Sequence, residues 1–170
     1  MTRAIALLTC LMLASSPMWA APKDKKEDKK DRKEDQANAN RAPSGREIAE
    51  EAAKANLEKD KAIERKYGKG SDVVRFIPAH IGGLQMHDFA QGAVVGLLDI
   101  DRRGDLTGLP AGKYHVFVKQ IKGDWNAYFE KDGKIVKEAV GVKFFEQGHP
   151  EPKFKDGGDC VLFSHWEFCY

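Results

Sequence analysis

The chain has 170 residues, with 28 Lys+Arg against 26 Asp+Glu, a net charge of +2 and three cysteines. Such a length allows one domain with appendages. Nearly balanced charge forces no basic face, which excludes a binder held to nucleic acid by bulk electrostatics, and no nucleic-acid partner is expected.

Residues 1–20 read as a signal peptide. Arg3 gives the positive start, Ala4 to Ala14 ("AIALLTCLMLA") the apolar stretch, and "SSPMWA" the small-residue end. The apolar run is shorter than the about 20 residues a spanning helix needs. A charged stretch follows at once, so a signal is preferred to an anchor. Cleavage is placed after Ala20, since cutting after Ala21 would set Pro22 beside the scissile bond. A lipoprotein reading would use Cys10, but "LLTC" matches the usual lipobox poorly. The expectation is a periplasmic or secreted protein with no membrane span in the mature chain.

Residues 21–43 form a charged spacer. From Pro22 to Pro43 there is no Val, Ile, Leu or aromatic residue to offset the entropy of ordering, so disorder is expected. Lys23 to Asp35 carry seven basic and six acidic side chains, a mixture that suits a solvated spacer better than a basic arm.

Residues 44–70 predict a helix. Ser44 and Glu47 fit a capping box, Gly68 and Gly70 fit a stop, and Ala, Glu and Lys favour helix between them. Its apolar face is thin: Ile48, Ala52, Ile63 and Tyr67 contribute, while Asn56 and Lys59 interrupt. Such a helix projects or rests lightly on its domain.

From residue 71 to 170 the pattern predicts a small antiparallel β-sandwich of immunoglobulin or prealbumin type, mainly β, with about seven short strands and no helix. "DVVRFIPAHI", "LQMHDFA", "GAVVGLLDI", "GKYHVFVKQI", "DWNAYFEK", "KIVKEAVGVKFFE" and "DCVLFSHWEFCY" read as strand material. Asp132-Gly133 suits a type I′ hairpin turn, and Lys122 to Asp124 joins two strands in the same manner. Glu146 to Asp159 reads as a long Pro/Gly loop.

Asp105 to Lys119 ("DLTGLPAGKYHVFVK") is the best-punctuated stretch. Pro110 presets the φ of a turn, Gly112 suits its end, and Tyr114 follows as the tyrosine of a tyrosine corner. Beyond it, Tyr114, Val116 and Val118 share one strand face, and His115, Phe117 and Lys119 the other. At Gly104 to Val118 the chain resembles the G-x-[F/L]-x-x-L-P-x-G-x-Y-x-[V/L]-x-V signature of prealbumin-like and carboxypeptidase regulatory-like β-sandwich domains. The resemblance implies the architecture of a sandwich corner and, since that fold serves mostly as a binding or spacer module, little about chemistry.

With Cys10 in the signal, Cys160 and Cys169 remain, either bridged or buried as free thiols; export favours the bridge. Nine steps of strand separate Cα atoms by about 30 Å and nine of helix by about 13 Å, against the roughly 4.4–6.8 Å a bridge needs. A bridge therefore requires the segment to reverse, and a reversal about Ser164-His165 sets Cys160 opposite Cys169.

Chemical motifs are sparse. Asp99, Asp101 and Asp105 begin like a calcium loop, but Arg103 and Pro110 stand where that loop needs ligands. Arg103-Gly104-Asp105 is treated as a turn. His80, His87 and His115 are the candidate metal ligands, brought together across the Gly82-Gly83 turn, though none has the paired spacing of a zinc site. Ser164 and His165 are adjacent, so their side chains diverge, and no G-x-S-x-G elbow exists. Asn126, Tyr128 and Trp166 form a candidate platform for stacking sugar rings or gripping a peptide, provided that they face solvent. The leading expectation is an exported, non-catalytic binding or envelope-associated module with a protein or glycan ligand and no cofactor. The alternatives are a metal-binding protein or enzyme using surface histidines, and a structural subunit of an envelope assembly.

Overall fold

The computed structural model describes residues 40–68, 72–101 and 108–170. Residues 1–20, read above as a signal peptide, nearly all of the expected spacer and the Arg103-Gly104-Asp105 tripeptide lie outside the described residues. The fold is mainly β, with antiparallel sheets of six and two strands. Helix α1 (Gly45–Ala52) is followed by a 3-10 turn (Lys59–Lys61) and strands β1 (Ile63–Tyr67) and β2 (Asp72–Pro78). Helix α2 (Met86–Gln91) leads into β3 (Ala93–Asp101), β4 (Gly112–Ile121), β5 (Asp124–Lys131) and β6 (Lys134–Val140). These six strands pair in sequence order as a meander, and β7 (Lys143–Phe154) pairs with β8 (Cys160–Cys169) separately.

Alternation along the strands divides the six-stranded sheet into two apolar faces. Tyr114, Val116 and Val118 of β4 and Trp125, Ala127 and Phe129 of β5 pack against β8 in the main core. Phe117, Tyr128 and Val94 point to the opposite face and pack under Ile48 of α1. One buried isoleucine stabilises such docking by about 1.5–3 kcal/mol. Close approach makes the docking possible: a Cβ on Gly45 would lie 2.3 Å from the Gly133 carbonyl oxygen, so the helix rests on the β5–β6 turn. Asp132 (φ 52°) and Gly133 (φ 76°) of that turn both adopt the left-handed region, as a type I′ turn requires. Lys122 and Gly123 do the same between β4 and β5.

Helix α1 ends at Ala52, well short of the expected residue 70, and Ile63–Tyr67 is a strand. Ile63 and Tyr67, four apart, share a face in a helix and in a strand alike. With little apolar face to bury between Ala53 and Ala62, the strand prevails because it gains a ladder with β2 and packs both side chains on the core. A second correction concerns "LQMHDFA", read as a strand, where α2 forms. The Asp88 carboxylate accepts the Gln85 backbone N–H at 2.7 Å, and Phe89 enters the core against Trp166 with centroids 4.8 Å apart. A Gln-x-x-Asp start is not the usual capping signature, so the cap was hidden.

The loop expected over 146–159 is mostly strand, since β7 runs to Phe154. Pro150 and Pro152 argued against a strand because they give no N–H to a ladder. The pairing with β8 accommodates them by shifting register on both sides of His149.

Cys160 and Cys169 are bridged, with Sγ atoms 2.02 Å and Cα atoms 4.0 Å apart. A straight strand would separate those Cα atoms by about 30 Å, so β8 turns back on itself. Ser164 (φ 52°) is its left-handed residue. Val161, Phe163, Trp166 and Phe168 all reach the core, as they must if the reversal falls between 163 and 166. Beyond the bridge, the Tyr170 N–H donates to the Asp159 carbonyl at 2.9 Å.

That end of the two-stranded sheet holds β1. The Arg65 guanidinium donates to the Gly158 and Lys155 carbonyls, and the Tyr67 hydroxyl donates to the Asp159 carboxylate and lies 3.0 Å from the Tyr170 hydroxyl. Burial, then the Tyr67 hydroxyl, pushes the Tyr170 phenol well above its ordinary value. At the opposite edge, β6 carries Lys134 and Lys137, and Val136 is extra in the register between Glu130↔Ile135 and Phe129↔Lys137.

Candidate functional site

The residues of the expected tyrosine corner meet as that geometry asks: the Tyr114 hydroxyl donates to the Pro110 carbonyl at 2.7 Å. Lys131 lies over the same ring, its Nζ 5.7 Å from the centroid. This is a structural device.

The platform is not available. Asn126 and Tyr128 are 5% and 1% exposed, and Trp166 is fully buried. Asn126 and Tyr128 alternate onto the face under α1, while Trp166 lies on the main-core side. Asn126 Oδ1 accepts the Gly141 N–H at 3.0 Å, fixing the chain after β6. Neither the Tyr128 hydroxyl nor the Trp166 indole N–H has a hydrogen-bond partner among the described residues. Burial, with the Glu138 carboxylate second, pushes the Tyr128 phenol up to about 12. The exposed aromatic Phe144 is already engaged, its ring stacking on Trp125 (5.6 Å) and on His165 (5.6 Å).

The three histidines do not converge. His80 Nδ1 lies 2.9 Å from Glu58, His87 Nε2 3.0 Å from Asp88, and His115 Nδ1 2.7 Å from Glu130, three carboxylates on separate elements. Among the described residues, the metal-sized grouping is Cys160, Glu167 and Cys169, whose sulfurs are already bonded to each other. The strand register explains the separation: His115 projects from mid-sheet toward β5, whereas His80 lies just past the end of β2. Glu130, 1% exposed, uses its second oxygen to accept the Gly133 N–H at 2.6 Å. The His115–Glu130 pair thereby holds the turn on which α1 rests.

What the fold does build is a cleft of about 690 Å³ between α1 and the segment from His80 through α2. Its floor is Phe117 and Val94, both buried, with Lys119 beside them. Glu47, Glu50 and Glu51 of α1, with Lys54 just beyond it, line one wall, and Asp88 and Gln91 of α2, with Leu84 just before it, line the other. A Cβ on Gly92 would lie 2.3 Å from Phe117 Cζ, so glycine at the end of α2 lets the ring slide beneath it. The α1 carboxylates each hold a cation: Glu47 pairs with Arg41, Glu50 with Arg46 at 2.9 Å, and Glu51 with Lys54 at 2.7 Å. The capping box expected at Ser44 and Glu47 forms, with the Ser44 N–H donating to Glu47 Oε2 at 2.6 Å. That bond, followed by the Ser44 hydroxyl and Arg41, brings the Glu47 carboxyl down to about 2.

Lys119 is 8% exposed. Burial, with the Arg41 charge second, holds its amine below the ordinary lysine value, and Glu47 opposes them weakly.

The chain matches no protein family model, and neither a curated protein nor a solved structure is significantly similar to it. The site therefore rests on its own geometry.

Sequence reasoning missed this cleft. The available signal was Phe117, an aromatic residue on the strand face that otherwise carried His115 and Lys119; an apolar ring there requires a cover. That cover is α1, supplied from 70 residues upstream.

Proposed function

We propose that the protein is exported after removal of residues 1–20 and acts as a non-catalytic binding module. In this reading residues 71–170 form a sandwich of immunoglobulin or prealbumin type, reached through the charged spacer and working in the periplasm or outside the cell. The ligand, part of a protein or a glycan, enters the cleft between α1 and α2. One observation carries this reading: an open cavity of about 690 Å³, within the size range of ligand sites, has a buried apolar floor and polar walls.

Retention experiments on envelope extract test it. Immobilised wild-type protein is compared with Gln91→Trp, a substitution at an exposed wall position that fills the cleft without touching the core. A species kept by the wild type and lost on the variant supports the cleft. Equal retention by both overturns it. A role as a structural subunit of an envelope assembly would appear instead as a stable complex that Gln91→Trp leaves intact.

A further inference from the structure

The bridged end of the smaller sheet, away from the cleft and independent of it, gathers three metal-binding side chains. The Sγ atoms of Cys160 and Cys169 and a carboxylate oxygen of Glu167 all lie within 4.8 Å of one another. Glu167 stands two residues before Cys169 on β8, so both side chains leave the same strand face. Two sulfurs and an oxygen so placed make a donor set for a metal ion once the sulfurs are thiolates. They are thiols when the chain is synthesised, and they become thiols again when a dithiol reductant opens the bridge. Cys169 is exposed, so a reductant reaches it.

The bridge is not the sole restraint on the two cysteines. The Tyr170 N–H donates to the Asp159 carbonyl at 2.9 Å, and the Lys155 N–H to the Cys160 carbonyl at 3.0 Å. Val161, Phe163, Trp166 and Phe168 anchor the chain between them in the core. The Cα atoms, 4.0 Å apart, therefore stay opposed after reduction, and the sulfurs move by side-chain rotation. From 2.02 Å in the bridge they would part to roughly 3.8 Å about a tetrahedral zinc, whose Zn–S bonds are about 2.3 Å. Glu167 is held by Lys155, whose Nζ lies 2.7 and 2.9 Å from its two oxygens. That ammonium is half-exposed, so it turns into water at small cost when a dication takes the carboxylate.

We infer that the reduced protein binds one zinc-class metal ion through Cys160, Cys169 and Glu167. The two thiolates select a borderline-soft dication over calcium or magnesium, which take oxygen donors. Three protein ligands leave a fourth position open to water. Bridge and metal exclude each other. A dithiol gives two electrons and two protons to the disulfide, yielding two thiols and its own disulfide, and the metal then displaces both protons. Exchange with an oxidising disulfide runs the sequence backwards and ejects the ion.

Cobalt(II), which reports thiolate ligation by a charge-transfer band in the near ultraviolet, tests the inference on the purified protein. Bridged and phosphine-reduced samples are titrated in parallel, with free thiols counted and the fold checked by tryptophan fluorescence. The expected result is a band that saturates at one equivalent in the reduced protein, is absent from the bridged one and is removed by zinc. Zinc should also raise the Tm of the reduced protein, on the order of 10 °C at a hundredfold excess over its Kd, whereas capture by an unfolded chain would lower it. Cys169→Ser should abolish the band, and Glu167→Gln should keep it while weakening the affinity by at least about tenfold. No band in the reduced wild type, or the same band in the bridged protein, overturns the site. Loss of the fold on reduction overturns it as well, and so does a Tm that falls with zinc. An affinity unchanged in Glu167→Gln overturns the assignment of the carboxylate.

Discussion

Removing the disulfide tests how the smaller sheet is held. The double substitution Cys160→Ala, Cys169→Ala opens a closed loop with a sequence separation of 9. In the chain-entropy account, a loop of that size stabilises the fold by about 2.7 kcal/mol at room temperature. The native structure should otherwise persist, because Val161, Phe163, Trp166 and Phe168 remain in the core and Tyr170 still bonds to Asp159. For a fold of this size the loss corresponds to a fall in Tm on the order of 10 °C. The assay is urea and thermal unfolding followed by tryptophan fluorescence, with the wild type measured before and after reduction. Because Arg65 and Tyr67 fasten β1 to the residues flanking the bridge, Tyr67→Phe should cost less in the double variant than in the wild type. A Tm change under about 2 °C would refute the claim that the bridge closes a loop otherwise free to open. So would a Tyr67→Phe cost identical in both backgrounds, for the claimed coupling.

Three further outcomes follow from the α1 face. Glu130→Ala leaves the half-buried His115 and the Gly133 N–H without their acceptor, and should cost about 1–3 kcal/mol in urea unfolding; a loss under about 0.5 kcal/mol would contradict the pairing described. Gly45→Ala places a methyl against the Gly133 carbonyl, and should raise amide exchange across residues 46–52 while β2–β5 stay protected; unchanged exchange would mean that α1 does not rest on the turn. The Glu47 carboxyl has a folded value of about 2, below its ordinary 4.5. Its contribution is therefore complete above about pH 4.5 and is lost as pH falls toward 2, so α1 should fray in acid. Acid titration of Glu47→Gln should lack that step, and a variant that keeps it would place its origin elsewhere.

Much of the strand framework was legible because alternation and turn chemistry are local. Asp132-Gly133, the Pro110–Tyr114 corner and the reversal required by Cys160 and Cys169 each follow from residues a few positions apart. The errors share a different cause. Ile63 and Tyr67 satisfy a helix and a strand equally, and only the distant partner β2 decides between them. Pro150 and Pro152 looked like loop residues because β8, which tolerates their missing donors through register shifts, is not visible in their neighbourhood. The proposed platform failed for the same reason: Asn126 and Tyr128 occupy an outward face of the sheet until α1 covers it. Lys119 and Phe117 acquire their meaning from that covering helix, and the cleft is therefore a product of long-range packing.

The two margins of the six-stranded sheet are treated differently, with a common result. β1 is stitched by its side chains to the loop beside the bridge, while β6 is kinked by its supernumerary Val136 and studded with lysines. A foreign strand approaching either flank meets guanidinium, ammonium or a bent backbone in place of a straight template. A molecule so finished should resist polymerising strand to strand, even at high concentration.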